Sequence, residues 1–434
     1  MDVSSVSNHG GVSNHGARSA SLTHSKYYPG GAVCFRHAPD TPMKKKVHVA
    51  VVGAGAFGGW TALYLLRSGA RVTLLDGWGP GNSRASSGGE TRVIRATYGA
   101  NSPYSAMAEH SRRLWHQHEK EWKQPFLCRT GVLWMATSGD HSFERGSLKM
   151  LGQAGTKYEE LSVRAIKKRW PQINLEGVSF GIYEPDGGYL LARLSCQAVV
   201  ERFVYQGGEY RQSAVLPRDL ETGKWNLLPL ADGSVISADR YVFACGAWLR
   251  ELFPDTIGDR LVPTQQDVFF FATPAGTKLD DQHLPVWGDH GDRFFYGIPG
   301  NQGRGFKIAD DTRGPFLDPT SGERVVSAES LRTIREYLAF RFPAMKDAPL
   351  LETRVCQYEQ TPDSHFIMDH HPAAESVWLL GGGSGHGFKH GPAVGEMMAE
   401  LILKDKDPQP IFRLARFANY SPPARPVATP QHPR

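Results

Sequence analysis

A glycine-rich turn constrains this chain more than any other feature of its sequence. The stretch VHVAVVGAGAFGGW holds Gly53, Gly55 and Gly58 in G-x-G-x-x-G spacing, after a predicted buried strand and at the start of a helix predicted over 58–67. Asp76 ends the next predicted strand, ARVTLLD, about 20 residues further on. Such glycines allow a tight turn, close approach to a pyrophosphate and close helix packing. The pattern predicts a dinucleotide site, with the pyrophosphate at the helix N-terminus and Asp76 on the ribose.

The fingerprint alone does not distinguish NAD from FAD. It is followed by GNSRASSGGETRVIRATYG, which we interpret as a long polar loop that carries Arg84, Arg92 and Arg95. An NAD site would continue at once with another strand and helix, whereas a long loop suits the larger FAD, whose second half needs a cover of backbone. The sequence therefore favours FAD.

The remaining segments predict a mixed α/β fold. Helices are predicted in 105–123, ESLRTIREYLAFRF and AVGEMMAELIL, and a buried strand in ADRYVFACGAW. The aromatic segments QDVFFFATP and RFFYGIP are typical of antiparallel strands. We predict a discontinuous Rossmann-like FAD-binding domain with an inserted substrate domain on an antiparallel or mixed sheet. The FAD-binding parts are 44–135, 186–262 and 358–420, and the substrate domain is 136–185 and 263–357.

The two ends of the chain differ from this pattern. Residues 1–43 are rich in Ser, Gly and His and repeat VSNHG, so we predict a disordered extension, which leaves open a tail, a mistranslated extension or a weak targeting sequence. Residues 421–434 are a Pro-rich tail.

Bulk composition excludes several classes of function. The net charge of +5 forms no basic stripe interleaved with aromatics, which argues against nucleic acid as a partner. No apolar run approaches the roughly 20 residues that cross a bilayer, so no membrane is expected. The five cysteines are scattered without CxxC spacing, which argues against a disulfide scaffold or a metal site. Free thiols fit a reducing compartment, and we predict a cytoplasmic protein.

Four motifs occur in a fixed order along the chain. They are GGETRVIRATYG, GFKI at 305–308, CQYEQTPDSHFIMDHHP at 356–372 and GGGSGHGFKHGPAVGE at 381–396. Together they resemble the monomeric sarcosine oxidase and N-methyltryptophan oxidase family of flavin amine oxidases, within the D-amino-acid-oxidase superfamily. The resemblance runs from about Val47 to Phe417.

The resemblance implies FAD held covalently, through a thioether between Cys356 and the flavin 8α-methyl carbon. Arg354 lies two residues before this cysteine, and a nearby cation favours a thiolate. The glycines of LGGGSGHGFKH would let backbone pass close to the flavin ring, ahead of a helix predicted from Ala393. The predicted cofactor contacts are Gly53, Gly55, Ala56, Phe57, Gly58, Asp76, Ser86, Arg92, Val215, Gly246, Cys356, Gly385, Gly387, Phe388 and Lys389.

The resemblance also implies a set of catalytic residues. Arg95 and Lys389 match the pair that holds a substrate carboxylate, for which a planar fork and a point charge are suited. Lys307 matches the lysine that activates oxygen. The remaining members of the set are two tyrosines that match pocket-lining positions and one residue that departs from the family: Tyr296, Tyr358 and Asp311.

Asp311 marks the departure, because sarcosine-oxidising members carry histidine four residues after the oxygen-activating lysine. We hypothesise that Asp311 contacts a cationic or hydroxylated part of a larger amino acid; the rival interpretation is that Asp310 and Asp311 are both solvated. This difference leaves the substrate open.

The predicted reaction is oxidation of a secondary or N-methyl amine next to a carboxylate, by a monomer that uses O2 and releases hydrogen peroxide. Three alternatives stay open: oxidation of a cyclic imino acid such as pipecolate or a piperideine carboxylate, a dehydrogenase with another electron acceptor, and a non-catalytic flavoprotein subunit. The dehydrogenase is disfavoured by the lysine at position 307. The non-catalytic subunit is disfavoured because four residues of the family site are intact: Arg95, Lys307, Cys356 and Lys389.

Overall fold

A computed structural model describes residues 46–100, 103–137, 139–216 and 227–421. The predicted N-terminal extension, 1–43, and all but the first residue of the predicted tail, 421–434, lie outside these ranges. The helices are α1 Ala56–Arg67, α2 Tyr104–Trp122, α3 Ser142–Ala154, α4 Val163–Arg169, α5 Ala192–Tyr205, α6 Leu249–Leu252, α7 Ala328–Arg341 and α8 Gly391–Lys404.

Nineteen strands occur in the described residues, and they form four sheets. The strands are β1 His48–Val52, β2 Arg71–Leu75, β3 Thr91–Ile94, β4 Leu127–Cys128, β5 Val132–Ala136, β6 Glu159–Ser162, β7 Phe180–Glu184, β8 Gly188–Leu191, β9 Glu209–Arg211, β10 Leu228–Pro229, β11 Val235–Ile236, β12 Arg240–Phe243, β13 Val262–Phe271, β14 Val286–His290, β15 Phe294–Ile298, β16 Phe306–Asp310, β17 Leu350–Gln360, β18 Ile367–His371 and β19 Ala374–Gly381. Helices and sheets together confirm the predicted α/β fold class.

The six-stranded sheet has the order β18-β19-β12-β1-β2-β9. Its neighbouring strands run parallel except β18, which runs antiparallel to β19. The carboxyl ends of β1, β2, β12 and β19 therefore lie at one edge, where ligands bind in open parallel sheets. This topology brings together turns that are more than 300 residues apart in the sequence, after Val52 and after Gly381.

Helix α1 packs against strands β1, β2 and β19 of this sheet and against helices α5 and α8. A Cβ added at Gly395 of α8 would lie 2.6 Å from the backbone carbon of Trp60 in α1. Trp60 is 2% exposed and its ring contacts the rings of Trp115 and Trp122 of α2. The small residue on α8 thus lets the two helices approach, and apolar burial of this size is the main favourable term in folding.

The eight-stranded sheet has the order β17-β13-β16-β15-β14-β5-β7-β6. Its neighbours run antiparallel except β14 and β5, which run parallel. Helix α7 packs on it through Ile334 and Leu338, which are both buried against Trp287 and Phe306 in one apolar cluster. The predicted antiparallel strands QDVFFFATP and RFFYGIP correspond to β13 and β15.

Part of the segment that we interpreted as a long polar loop is a strand, so that interpretation was wrong for residues 91–94. These residues form β3, which pairs with β8 in a three-stranded sheet of order β3-β8-β4. The partner strand lies about 100 residues away, a contact that local composition does not reveal. Helices α1 and α8 also begin two residues earlier than predicted, at Ala56 and Gly391.

The proposed division into two domains stays a prediction. Its boundaries at 135/136 and 357/358 fall inside β5 and β17, which both belong to the eight-stranded sheet. Across the described ranges, the helices lack the combination of length and apolar character that a bilayer crossing requires.

Candidate active site

A cleft of about 1250 Å³, open to solvent, lies at the carboxyl edge of the six-stranded sheet. We call it the nucleotide cleft. Twelve of the fifteen predicted cofactor contacts line it: Gly53, Gly55, Ala56, Phe57, Asp76, Ser86, Arg92, Val215, Gly246, Gly385, Gly387 and Phe388. The three that do not are Gly58, Cys356 and Lys389.

The turn between β1 and α1 requires glycine at two of the fingerprint positions. Gly53 has φ of 103°, and a Cβ there would lie 2.3 Å from the carbonyl oxygen of Ala244, which follows β12. A Cβ on Gly58 would lie 1.9 Å from the carbonyl oxygen of Gly53. Gly58 therefore serves the packing of α1 onto its own turn, as the fingerprint predicts, rather than lining the cleft.

Asp76 is held at the end of β2 by backbone donors. Its Oδ2 accepts from the N–H of Ala54 at 2.8 Å, and its Oδ1 accepts from Trp78 and Gly79 at 2.8 and 2.7 Å. The carboxylate is therefore fixed where it lines the cleft, which is the position that ribose recognition needs.

Ser87, a residue that sequence reasoning missed, contacts the N-terminus of α1. The N–H of Ala56 donates to Ser87 Oγ at 3.0 Å, and Ser87 lines the cleft. We had singled out its neighbour Ser86, whose Oγ is buried and has no hydrogen-bond partner among the described residues. Two adjacent hydroxyls thus line this part of the cleft, and neighbouring serines in a loop cannot be told apart by spacing.

The turn after β19 is the second glycine-rich wall of the cleft. Gly385 has φ of 80°, and a Cβ there would lie 2.5 Å from the Tyr358 ring. A Cβ on Gly387 would lie 2.8 Å from the ring of Phe57. The absence of side chains lets this turn pack closely against the two rings, and the expectation that it also makes room for the flavin ring stays a prediction.

A second cavity of about 920 Å³ adjoins the cleft, and we call it the charged cavity. Arg92, Tyr358, Gly385 and Phe388 line both spaces. All six predicted catalytic residues line the charged cavity: Arg95, Tyr296, Lys307, Asp311, Tyr358 and Lys389. Roles for these residues stay predictions, but their convergence from β3, β15, β16, β17 and the turn before α8 is a property of the fold.

Tyr98 connects Arg95 with Lys389. The guanidinium carbon of Arg95 lies 4.7 Å from the ring centroids of both Tyr98 and Trp134. Lys389 Nζ donates to the Tyr98 hydroxyl and to the His386 carbonyl oxygen, each at 2.8 Å. Because lysine can only donate, the Tyr98 oxygen accepts this bond. Tyr98 thus contacts both cations, Arg95 through its ring and Lys389 through its hydroxyl.

Lys307 is buried, 3% exposed, and its Nζ donates to the carbonyl oxygen of Thr91 at 2.8 Å. Burial, followed by the positive charge of Arg92, lowers the pKa of Lys307 well below its usual value. This burial excludes a surface position for the Lys307 side chain.

The two neighbouring aspartates after β16 behave differently. Asp310 pairs with Arg293 and accepts from the N–H of Thr312 at 2.9 Å, and it does not line the charged cavity. Asp311 lines the cavity, and its Oδ1 accepts from the Tyr358 hydroxyl at 2.8 Å. Among the described residues that line this cavity, Asp311 is the single carboxylate.

Cys356 lies at the edge of the charged cavity as a half-buried free thiol. The cation beside it is Arg92, whose Nη2 is 3.4 Å from Sγ. Our expectation that Arg354 fills this role was wrong, because Arg354 pairs with Glu90 at 3.0 Å and with Glu352. The nearest residue in sequence is thus not the nearest charge in space.

Strand β17 supplies side chains to both spaces by alternation. Cys356 and Tyr358 line the charged cavity, whereas Gln357 and Glu359 line the nucleotide cleft, which Tyr358 also borders. Successive side chains of a strand point to opposite faces, so a single strand serves both spaces. Sequence reasoning missed Glu359, because it lies in a largely polar strand, where one more acid gives no signal.

The cleft fits a dinucleotide such as FAD. The fit rests on the glycine cradles, on the fixed Asp76 carboxylate and on two buried polar atoms, Ser86 Oγ and Glu359 Oε2, that have no hydrogen-bond partner among the described residues. Buried polar groups are normally satisfied, so two such atoms in one cleft indicate a polar ligand.

Comparisons with known proteins agree with this geometry. The family model described as FAD dependent oxidoreductase (DAO) matches residues 48–401. Monomeric sarcosine oxidase from Bacillus sp. (strain B-0618) is 30% identical over 369 residues, covering 84% of this chain and 94% of that protein. N-methyl-L-tryptophan oxidase from Salmonella arizonae is 25% identical, covering 86% of this chain and 100% of that protein.

Solved structures show the same fold. L-proline dehydrogenase from P. horikoshii gives a TM-score of 0.75 at 21% identity and covers 87% of this chain and 99% of that one. With the family match, the predicted resemblance and the FAD requirement are confirmed, and the chain is an oxidoreductase that acts on CH–NH donors. The chain belongs to the DAO family of FAD-dependent oxidoreductases.

Proposed function

We propose that this protein oxidises the C–N bond of an amino acid whose amine is secondary or N-methylated, giving an imine and hydrogen peroxide. One observation carries the proposal: two cations, half-buried Arg95 and buried Lys389, and a carboxylate, Asp311, line one cavity that adjoins the nucleotide cleft. The two cations complement the carboxylate of an amino acid, and Asp311 complements a cationic or hydroxylated part of its side chain.

The substrate carboxylate is assigned to Arg95 and Lys389. Arginine offers a planar pair of donors and lysine a point charge, and both are already held by Tyr98. Because the two cations are fixed before substrate arrives, little side-chain freedom is lost on binding.

The amine is assumed to enter deprotonated, and we assign no protein general base. Bound FAD would supply the two-electron acceptor for the C–N unit. The chain orients the substrate, and the aromatic wall of Trp134, Phe294 and Tyr296 limits water around the reacting carbon.

Lys307 is proposed to supply positive charge where oxygen is reduced. Negative charge develops on oxygen in this step, and a fixed cation in a buried site stabilises it more strongly than water does. Two observations support this role. Lys307 is buried on β16, and its Nζ is held in place by a hydrogen bond to the carbonyl oxygen of Thr91.

Cys356 is proposed to bind FAD covalently, with loss of the thiol hydrogen and of one methyl hydrogen of the flavin and with oxygen as the final acceptor of the two electrons. Its Sγ lies at the border between the two spaces, next to Arg92, which lines both.

We further propose that the protein works as a monomer in the cytoplasm. Cys128, Cys196, Cys245 and Cys356 are free thiols, as expected in a reducing compartment. Relatives at about this length are named monomeric.

The test combines an intact-mass measurement with a peroxide assay across N-methyl and cyclic amino acids. The expected results are a chain mass increased by one FAD, lost in Cys356→Ser, and peroxide from at least one substrate. Lys389→Met should raise the KM by about tenfold or more, as loss of a charged hydrogen bond predicts. Lys404→Met, which removes an exposed lysine from the end of α8, is the matched control.

Each part can fail separately. A chain mass without FAD would refute the covalent bond. Substrate oxidation that reduces an artificial dye but yields no peroxide would support the dehydrogenase alternative, and a preference for ring substrates would support the cyclic imino acid alternative. A yellow protein without any turnover would support the non-catalytic alternative.

A further inference from the structure

The side chain of Glu359 is a buried acid that the proposed reaction does not use. It lines the nucleotide cleft and is 8% exposed. Its Oε1 accepts from the N–H of Gly383 at 3.2 Å, whereas Oε2 is buried and has no hydrogen-bond partner among the described residues. A carboxyl oxygen left in this state is costly unless a ligand satisfies it.

The surroundings of Glu359 select the kind of ligand. Burial raises the pKa of Glu359 to about 7, against the lowering effect of the Gly383 and Gly382 N–H groups. Among the described residues, no cationic side chain contributes to this balance. A carboxyl group without a neighbouring cation is poorly suited to a pyrophosphate, because the two anions would repel each other. A neutral hydroxyl, which can both donate and accept, is the better partner.

The position of Glu359 along the cleft selects the part of FAD. Its Oε2 lies 3.4 Å from the Cβ position of Gly246 and 3.7 Å from that of Gly381, at the ends of β12 and β19. Gly53 and Asp76, the ADP end of a dinucleotide site, line the same cleft as Glu359. Tyr358, the residue before Glu359 on β17, borders both this cleft and the charged cavity.

We propose that Glu359 binds the ribityl chain of FAD, with Oε2 hydrogen-bonded to one of its hydroxyls. The ribityl chain is the neutral polyol that joins the pyrophosphate to the ring, so it would pass Glu359, which lines the cleft beside Tyr358 and next to the charged cavity. The direction of the ring, toward the charged cavity, rests on the proposed function. The hydrogen bond itself requires only that FAD occupies the cleft.

Fragments of the cofactor test the proposal directly. Full-length Cys356→Ser protein, stripped of flavin, is titrated with riboflavin, lumiflavin and ADP, with flavin fluorescence for the first two and calorimetry for ADP. Riboflavin has the ribityl chain without phosphates, lumiflavin has the ring alone, and ADP has neither ring nor ribityl chain. The titrations are repeated with Glu359→Leu and Glu359→Gln in the same background.

The expected result is a loss of about tenfold in riboflavin affinity for Glu359→Leu, the size of one hydrogen bond to a polar partner. Lumiflavin and ADP affinities should stay within about twofold in the same variant. Glu359→Gln should keep riboflavin affinity, because the amide has the same shape and can also donate and accept.

Three results would overturn the proposal. One is unchanged riboflavin affinity in Glu359→Leu. Another is a parallel loss for all three fragments, which would make Glu359 a support of the cleft instead of a ribityl ligand. The third is a tenfold loss in Glu359→Gln. Since none of these titrations needs turnover, a failure of the proposed oxidation leaves them interpretable.

Discussion

At the scale of single residues, Lys307 connects burial with pH. Its pKa is lowered by burial and by Arg92, so the ammonium form is lost as pH rises through a value below that of a solvated lysine. If this charge assists the reduction of oxygen, reoxidation of the reduced enzyme slows over that pH range.

Stopped-flow reoxidation at a series of pH values measures this effect. Lys307→Met should be slower by about 10²- to 10³-fold at low pH and insensitive to pH, as for loss of one electrostatic stabiliser. Lys307→Arg keeps its charge and should remove the slowing at high pH. Identical pH profiles for the wild type and Lys307→Met would exclude the role.

Asp311 is predicted to determine which amino acids react. It is the carboxylate of a cavity whose other charges are cationic, and a charged hydrogen bond contributes about 1.5–3 kcal/mol. Asp311→Asn should lower kcat/KM by about tenfold or more for substrates with a cationic or hydroxylated side chain, and less for small ones. Asp310→Asn is the control, since Asp310 pairs with Arg293 outside the cavity. A substrate panel ranked alike by both variants would contradict this prediction.

At the scale of elements, the glycine turn after β19 depends on its lack of side chains. Gly385→Ala would combine a φ of 80° with a Cβ 2.5 Å from the Tyr358 ring. Left-handed backbone costs a non-glycine residue about 1–2 kcal/mol, and overpacking adds about 1–3 kcal/mol.

Thermal unfolding with and without FAD measures the loss of stability in Gly385→Ala. Gly69→Ala is the matched control, because Gly69 has φ of 95° but nothing within 4 Å of the added Cβ. Gly385→Ala should lose more stability than the control and also lose FAD content. An equal loss of stability in the two variants would contradict the prediction. It would show that the cost comes from φ alone and that the turn can accommodate a Cβ next to the Tyr358 ring.

Motifs that are local in sequence predicted their own helices, strands and turns well. Contacts between distant elements were harder to predict from the sequence. The G-x-G-x-x-G turn and Asp76 follow from spacing within one β-α-β unit, so they could be predicted from the residues. Trp134 could not, because it reaches the charged cavity only through the parallel pairing of β5 with β14. The cation beside Cys356 was predicted wrongly for the same reason, because Arg92 reaches the thiol from β3, 264 residues away in the sequence.

At the scale of the whole molecule, Glu359 makes the stability of the flavin-free protein depend on pH. The pKa of this carboxyl is about 7 in the folded protein against 4.5 for an ordinary glutamate. The folded state therefore holds a proton that the unfolded state releases between these values, so the contribution of Glu359 to stability falls as pH rises from about 4.5 to 7.

The predicted change is about 3 kcal/mol in the free energy of unfolding, from 1.36 kcal/mol per pKa unit. Denaturant unfolding of flavin-free Cys356→Ser, with and without Glu359→Gln, isolates it. The stability of the Gln variant relative to its parent should increase by about this amount across the interval. A difference that does not vary with pH would show that the carboxyl titrates normally.

Strand β17 has a consequence for how this sequence can change over time. Its successive residues serve the two spaces alternately, from Cys356 to Glu359. A substitution there alters one contact, but an insertion or deletion of one residue would exchange the faces of every position beyond it. Related sequences can therefore differ in the residues of this segment. We expect them to share its length, because a change of length would disturb both spaces at once.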